Sequence, residues 1–263
     1  MNEEFIQSFR EPVTYNNWFK DLNPLSKFDI LLVTALSALI VDKIVYSVAL
    51  CAAYIIMALL IGEFKYFWSI FWKVLFTMGF FIIIIREISV KGETVLFSIF
   101  GWKWTLEGLM NGLEIGTKLI AFSGAVILFY ASTKTKDLML ALEGLGVPHT
   151  TSYIMLSSFQ TITDLRKSVN TIYESQKARG IEVEGNMIVR AKAFFPIISP
   201  LLIGAMSAAE EKSIAMDARA FSYDAKHTYL RELRKVPTGE KILVIFADVI
   251  FVLIIVAKIL KWL

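Results

Sequence analysis

From Ile44 to Gly62 the chain passes without one charged side chain. A lipid hydrocarbon core is about 30 Å thick and a helix rises about 1.5 Å per residue, so roughly 20 apolar residues make one crossing. Tyr66 to Ile85 is a second such run, broken only by Lys73. Ile115 to Ala131 is a third, with Lys118 near one end, and Ile242 to Ala257 is a fourth, which carries Asp248 and extends as far as Trp262. Phe28 to Val41 is shorter, yet joined to the next run it is too long for one crossing. Asp42-Lys43 reads as a polar corner between two tightly connected helices. The pattern predicts five spans and an all-α integral membrane protein.

Composition agrees. Of 263 residues, 56% are hydrophobic and 19% charged, against about half and a quarter in soluble domains. Disordered, collagen-like and disulfide-scaffold classes are excluded. A net charge of +3 is too balanced for nucleic-acid binding, and the single cysteine, Cys51, lies in an apolar run and forms no internal disulfide. Met1-Asn2-Glu3-Glu4-Phe5 is too acidic for a cleavable signal peptide.

Catalytic signatures are absent. There is no HExxH, no GxSxG and no cluster of metal ligands, so an intramembrane enzyme finds no support. His149 and His227 are the only histidines and read as surface residues. No GxxxxGK[ST] phosphate loop occurs; Thr238-Gly239-Glu240-Lys241 lacks its first glycine and the Lys-Ser/Thr order, so ATP would be bound by another chain. Asp248 is the one acid deep in a candidate span. It either pairs with Lys73 or Lys118, lies near an interface, or marks an ion path used directly by a stand-alone channel or secondary transporter. Phe67, Trp68, Phe71, Trp72, Trp102 and Trp104 read as interfacial aromatic belts.

Residues 133–240 hold 14 of the 27 Lys and Arg residues and 12 of the 24 acids, with no clean span. The basic excess favours a cytoplasmic position. Thr133 or Thr135 is suited to cap a short helix with Asp137 in its first turn, ended by Gly144-Leu145-Gly146-Val147-Pro148. A longer helix follows from about Thr150 to Ala178, with Leu156, Phe159, Ile162, Leu165, Val169, Ile172 and Tyr173 in one apolar stripe and Gly180 as its stop. Pro196 and Pro200 are expected to interrupt the chain before a third helix from about Leu201 to Arg219, with Leu201, Ala205, Ala208, Ala215 and Arg219 along one face. Alanines on such a face let another helix approach closely. Either partner proteins or the membrane interface would cover the stripes.

A short element occurs twice. Ala178-Arg179-Gly180 ends the second helix and Ala218-Arg219-Ala220 ends the third; the arginines are 219 − 179 = 40 residues apart. A cation near a helix C-terminus favours the dipole. Two triplets in equivalent positions say more, because arginine offers a fixed fork of donors suited to a carboxylate on another protein.

Here the sequence resembles a known family, the transmembrane T component of energy-coupling factor transporters, of the EcfT or CbiQ type. The resemblance starts at Leu22-Asn23-Pro24-Leu25-Ser26-Lys27 and continues through Thr105-Leu106-Glu107-Gly108 and Leu145-Gly146-Val147-Pro148. It is strongest in Lys177-Ala178-Arg179-Gly180 and in Ala215-Met216-Asp217-Ala218-Arg219-Ala220-Phe221. Where the family repeats Ala-Arg-Gly, the second copy here reads Ala-Arg-Ala, and alanine resists the positive φ of a sharp turn. The resemblance implies a coupling subunit of an ATP-driven importer in a prokaryotic cell membrane. It implies two cytoplasmic ATPases that bind ATP and Mg, a substrate-binding membrane S component for a vitamin or metal ion, and no cofactor on this chain. It implies that Arg179 and Arg219 with their flanking residues dock the ATPases, and that Phe159, Ile162, Leu165, Ala205 and Ala208 face the S component. The corresponding division is an N-terminal segment at 1–27, four spans in 28–132, a cytoplasmic coupling-helix domain at 133–240 and a fifth span at 241–263.

Overall fold

The computed structural model describes residues 11–12, 15–89, 94–99, 102–181, 185–221, 223, 231–233 and 236–260. In chain order the elements are β1 (Glu11–Pro12), α1 (Pro24–Ile40), α2 (Ile44–Ile61), α3 (Phe64–Ser89), β2 (Val95–Ile99), β3 (Trp102–Thr105), α4 (Leu106–Ser132), α5 (Thr135–Gly144), α6 (His149–Ala178), α7 (Met187–Asp217), β4 (Arg231–Glu232) and α8 (Thr238–Ile259). The chain divides into two compact units, Met1–Leu145 with Leu230–Leu263, and Gly146–Tyr229.

Five described helices are long and apolar enough to cross a membrane: α2, α3, α4, α7 and α8. Four of them contain runs expected as spans. The fifth, α7, lies where no clean span was expected, because the apolar stretch from Met187 runs straight through Pro196 and Pro200 instead of stopping at them. Conversely, α1 has only 17 residues. It nevertheless runs parallel to α8 over its full length. At one end the Asn23 N–H donates to Glu240 Oε1 (2.8 Å), and at the other Lys258 Nζ donates to the Ile40 carbonyl (2.8 Å). Helix α1 therefore reaches as deep as its apolar neighbour.

In the first unit α4 packs against α1, α2 and α3. The buried core joins Leu31 and Ala35 of α1, Tyr54 and Ala58 of α2, Phe67 and Phe71 of α3, and Ala125 and Leu128 of α4. Between helices in lipid there is little hydrophobic drive, so close packing carries the association. Gly112 shows how close: a Cβ there would stand 3.1 Å from the Ile83 Cα of α3. Phe67 and Phe71 stack with centroids 5.2 Å apart and are fully buried, so they belong to the core rather than to an interfacial belt. Trp68 and Trp72, stacked at 5.8 Å, stay exposed and keep the belt position.

Polar ties close both ends of this bundle. At one end the Tyr15 hydroxyl donates to Asp137 of α5 (2.5 Å), Lys20 pairs with Glu63 (2.8 Å), and buried Lys27 donates to the carbonyls of Lys20 (2.7 Å) and Ser132 (3.3 Å). At the other end Asp42, in the α1–α2 corner, pairs with Lys118 (2.6 Å) and with Lys258, while Lys118 also holds Glu114 (2.8 Å). Hydrogen bonds from Lys118 and Lys258 hold the Asp42 carboxyl down at about 2. Lys118 is thus committed to Asp42 and Glu114. Among the described residues Asp248 pairs with neither Lys73 nor Lys118; the carboxyl of Asp29 on α1 lies close to it.

Three local details depart from expectation. Helix α4 starts at Leu106 rather than near Ile115, because the Thr105 hydroxyl accepts the Gly108 N–H (3.2 Å) and caps it. Just before it, β2 and β3 pair antiparallel. Helix α5 is capped by Lys134 with no side-chain bond; Thr133 ends α4 instead.

Two arginine tips on an antiparallel helix pair

The second unit is built on α6 and α7. Three contacts fix their direction. The Tyr153 and Phe221 rings lie 4.8 Å apart, Lys212 Nζ donates to Ser157 Oγ, and Gln176 Nε2 donates to the Pro196 carbonyl at 3.1 Å. The early part of α6 meets the end of α7, and the end of α6 meets the early part of α7, so the helices are antiparallel. Their C-terminal tips therefore stand at opposite ends of the pair, about 45 Å apart for helices of this length.

Each tip closes in the same way. After α6, the Ile181 N–H returns to the Gln176 carbonyl (3.1 Å) and the Gly180 N–H to the Lys177 carbonyl (3.0 Å). After α7, the Phe221 N–H returns to Met216 (3.1 Å) and the Ala220 N–H to Asp217 (3.0 Å). This paired bonding satisfies carbonyls that a helix end leaves open, and it requires a left-handed residue after the cap. Gly180 supplies φ +84° and Ala220 supplies φ +56°. The turn that alanine was expected to resist is made nonetheless. Phe221 is held there by Tyr153 and by His149, whose ring centroid lies 5.8 Å from its own.

Arg179 follows α6 directly and Arg219 follows α7 after Ala218; both are exposed, as are Ala178, Gly180, Ala218 and Ala220. Among the described residues neither guanidinium has a hydrogen-bond or ion-pair partner. Two cationic forks, each on a rigid helix end, are free to receive carboxylates from outside the chain.

Between α6 and α7 lies an open groove of about 960 Å³ with an apolar floor that includes Ile162, Leu165, Leu201, Ala205 and Ala208. Phe159 lies outside it, exposed on α6. Of the five residues that the resemblance assigned to the S component, the structure thus gathers four in one groove and leaves one outside it. No group of His, Cys, Asp and Glu able to hold a metal occurs among the described residues. His149 is half-buried against Phe221; His227 and the side chain of Trp102 lie outside the described part. The Gln176–Pro196 bond and the Asp29–Asp248 pair were not foreseen from sequence. The first had one available signal, a proline that leaves a carbonyl four residues earlier without its donor.

Comparison with known proteins bears on the same segments. Residues 15–230 match the family model described as cobalt transport protein, CbiQ. Among curated relatives, the energy-coupling factor transporter transmembrane protein EcfT of Leuconostoc gelidum is 28% identical over 248 residues, 89% of each chain. EcfT of Listeria innocua is 28% identical over 240 residues, 83% of this chain and 86% of its own. EcfT of Staphylococcus aureus is 32% identical over 174 residues, 63% of each chain. With its apolar helix bundle and its family match over residues 15–230, the chain belongs to the CbiQ family, as an EcfT-like transmembrane T component of energy-coupling factor transporters.

Proposed function

We propose that this chain couples ATP hydrolysis on two cytoplasmic ATPases to a substrate-binding membrane S component, for uptake of a vitamin or a metal ion. The observation that carries the reading is the pair of exposed arginine tips with the same return hydrogen bonds, unpartnered among the described residues, at opposite ends of α6 and α7. Two well-separated, equivalent plugs suit two equivalent sockets. Each arginine would insert into an acidic groove on one ATPase. The antiparallel rods would carry the motion of those grooves to the S component, resting on the α6–α7 groove through Ile162, Leu165, Ala205 and Ala208, with Phe159 beside it. In this reading ATP and Mg are bound by the ATPases.

Parity of the membrane crossings supports placing 133–240 in the cytoplasm. Helix α4 ends and α8 begins at the same end of the first unit, where Lys27 reaches Ser132 and Asn23 reaches Glu240. The chain between them crosses the bilayer an even number of times. Helix α6 exposes Asp164, Arg166, Lys167, Asn170 and Glu174 and is too polar to cross. A single crossing by α7, which its composition permits, would break this parity. In this reading α7 does not cross, and its exposed Phe194, Phe195, Leu202 and Ile203 are available to lipid or to the S component. With 133–240 in the cytoplasm, this reading has the N-terminus in the cytoplasm and the end of α8 outside.

The test is reconstitution in liposomes. Substrate flux is expected only when the chain is combined with both ATPases and an S component. Flux through the chain alone would favour a stand-alone transporter working through Asp248.

A further inference from the structure

Pro200 has no N–H, so α7 cannot satisfy the carbonyl four residues earlier, that of Pro196. The donor comes from the other helix. Gln176 of α6 is buried, 8% exposed, and its Nε2 donates to the Pro196 oxygen at 3.1 Å. The same residue serves the arginine tip, because its own carbonyl accepts the Ile181 N–H that closes the turn around Arg179. One residue thus shapes the tip with its backbone and grips α7 with its side chain, at the gap that a proline opens. The far end of the pair has no such hydrogen bond to a backbone carbonyl among the described residues; there the Lys212–Ser157 hydrogen bond and the aromatic contacts of Phe221 do the holding.

We infer that Gln176 is a positioning residue for coupling: it locks the Arg179 tip onto α7 at the Pro196–Pro200 gap, so that the two coupling helices move as one piece. The inference rests on the coupling reading above. Without the clasp, Arg179 still enters its socket, but its motion is spent in sliding α6 over α7. ATP hydrolysis continues while transport falls. A residue that merely fills space would not separate those two activities.

Gln176→Glu keeps size and shape and exchanges the donor for an acceptor; Gln176→Leu keeps volume and removes polarity. Spin labels at Glu174→Cys and Lys192→Cys, in a full-length Cys51→Ala chain in nanodiscs, report the α6–α7 distance. The assembled transporter in liposomes reports substrate uptake per ATP hydrolysed. The clasp predicts a single narrow distance in the parent. In either Gln176 variant, read at pH 8, it predicts a distribution at least twice as broad and uptake per ATP reduced at least fivefold, with the ATPases still co-purifying. If one variant fails to insert, the other carries the same reading. A parent-like width, or a broad distribution with parent-like uptake per ATP, overturns the inference. The Arg179→Ala/Arg219→Ala chain separates the two ideas. If that control transports normally, the coupling reading fails, whereas the distance distribution still judges the clasp.

Discussion

Ala220 takes the same left-handed turn after Arg219 that Gly180 takes after Arg179, at φ +56° against +84°, with the same pair of return hydrogen bonds. An L-residue in this region carries a Cβ clash of roughly 1–2 kcal/mol. Glycine avoids the clash but loses more entropy on folding. Ala220→Gly is therefore expected to stabilise the chain by about 1 kcal/mol, and Gly180→Ala to destabilise it by about the same. Space does not limit the second change, since a Cβ on Gly180 would meet nothing within 4 Å. Thermal unfolding in detergent measures both, and opposite signs are the expected result.

Removing the charges tests the tips themselves. Arg179→Ala/Arg219→Ala is expected to insert and fold normally, because both side chains are exposed and without partners among the described residues. Truncating one member of a buried interface pair costs about 2–5 kcal/mol, against about 0–1 kcal/mol for a rim contact. Co-purification of the ATPases is expected to fall at least tenfold in the double variant and less in each single one.

The Asp42 clamp gives a pH dependence. Its carboxyl sits near 2, below the usual 3.8, because Lys118 and Lys258 donate to it. A lowered carboxyl pKa stabilises the fold fully above the unfolded value, and the contribution is lost as pH falls from about 4 through about 2. At pH 7, Asp42→Asn is expected to cost about 1 kcal/mol, a small figure because the carboxylate is half exposed. The melting temperatures of the parent and the variant are expected to differ at pH 7 and to converge as the pH is lowered below 4.

The Asp248 and Asp29 carboxyls lie near each other between parallel helices. Asparagine retains hydrogen-bonding capacity there, so Asp248→Asn is expected to leave ATP-driven uptake within about twofold of the parent. Asp248→Leu leaves the Asp29 carboxyl beside an apolar side chain and is expected to weaken α1–α8 packing by about 1–3 kcal/mol. Uptake assays and thermal unfolding distinguish the two variants.

The features legible in the sequence were those written in local patterns. Uncharged runs gave the helices of the bundle, and the repeated Ala-Arg element gave both tips, because a helix end is decided by a few neighbouring residues. What stayed hidden depended on distant partners. Pro196 and Pro200 read as breaks, since no local rule says that Gln176, 20 residues upstream, satisfies the freed carbonyl. Asp248 had two lysines as plausible partners by composition, and only the register of α1 against α8 sets Asp29 opposite it. Phe67 and Phe71 resembled belt residues until α4 closed over them, while the flanking Trp68 and Trp72 stayed outside. Ala220 shows the reverse case, in which a local propensity of about 1 kcal/mol yielded to a turn held by Phe221 on α6.

The most direct measurement asks whether the two tips face the same compartment. With Cys51→Ala as background, Arg179→Cys and Arg219→Cys are treated separately with a membrane-impermeant maleimide, in intact cells and in inside-out vesicles. Both cysteines are expected to react only in inside-out vesicles, and both to be shielded when the ATPases are bound. Labelling of one cysteine from each side, as a membrane-crossing α7 would give, contradicts the coupling account.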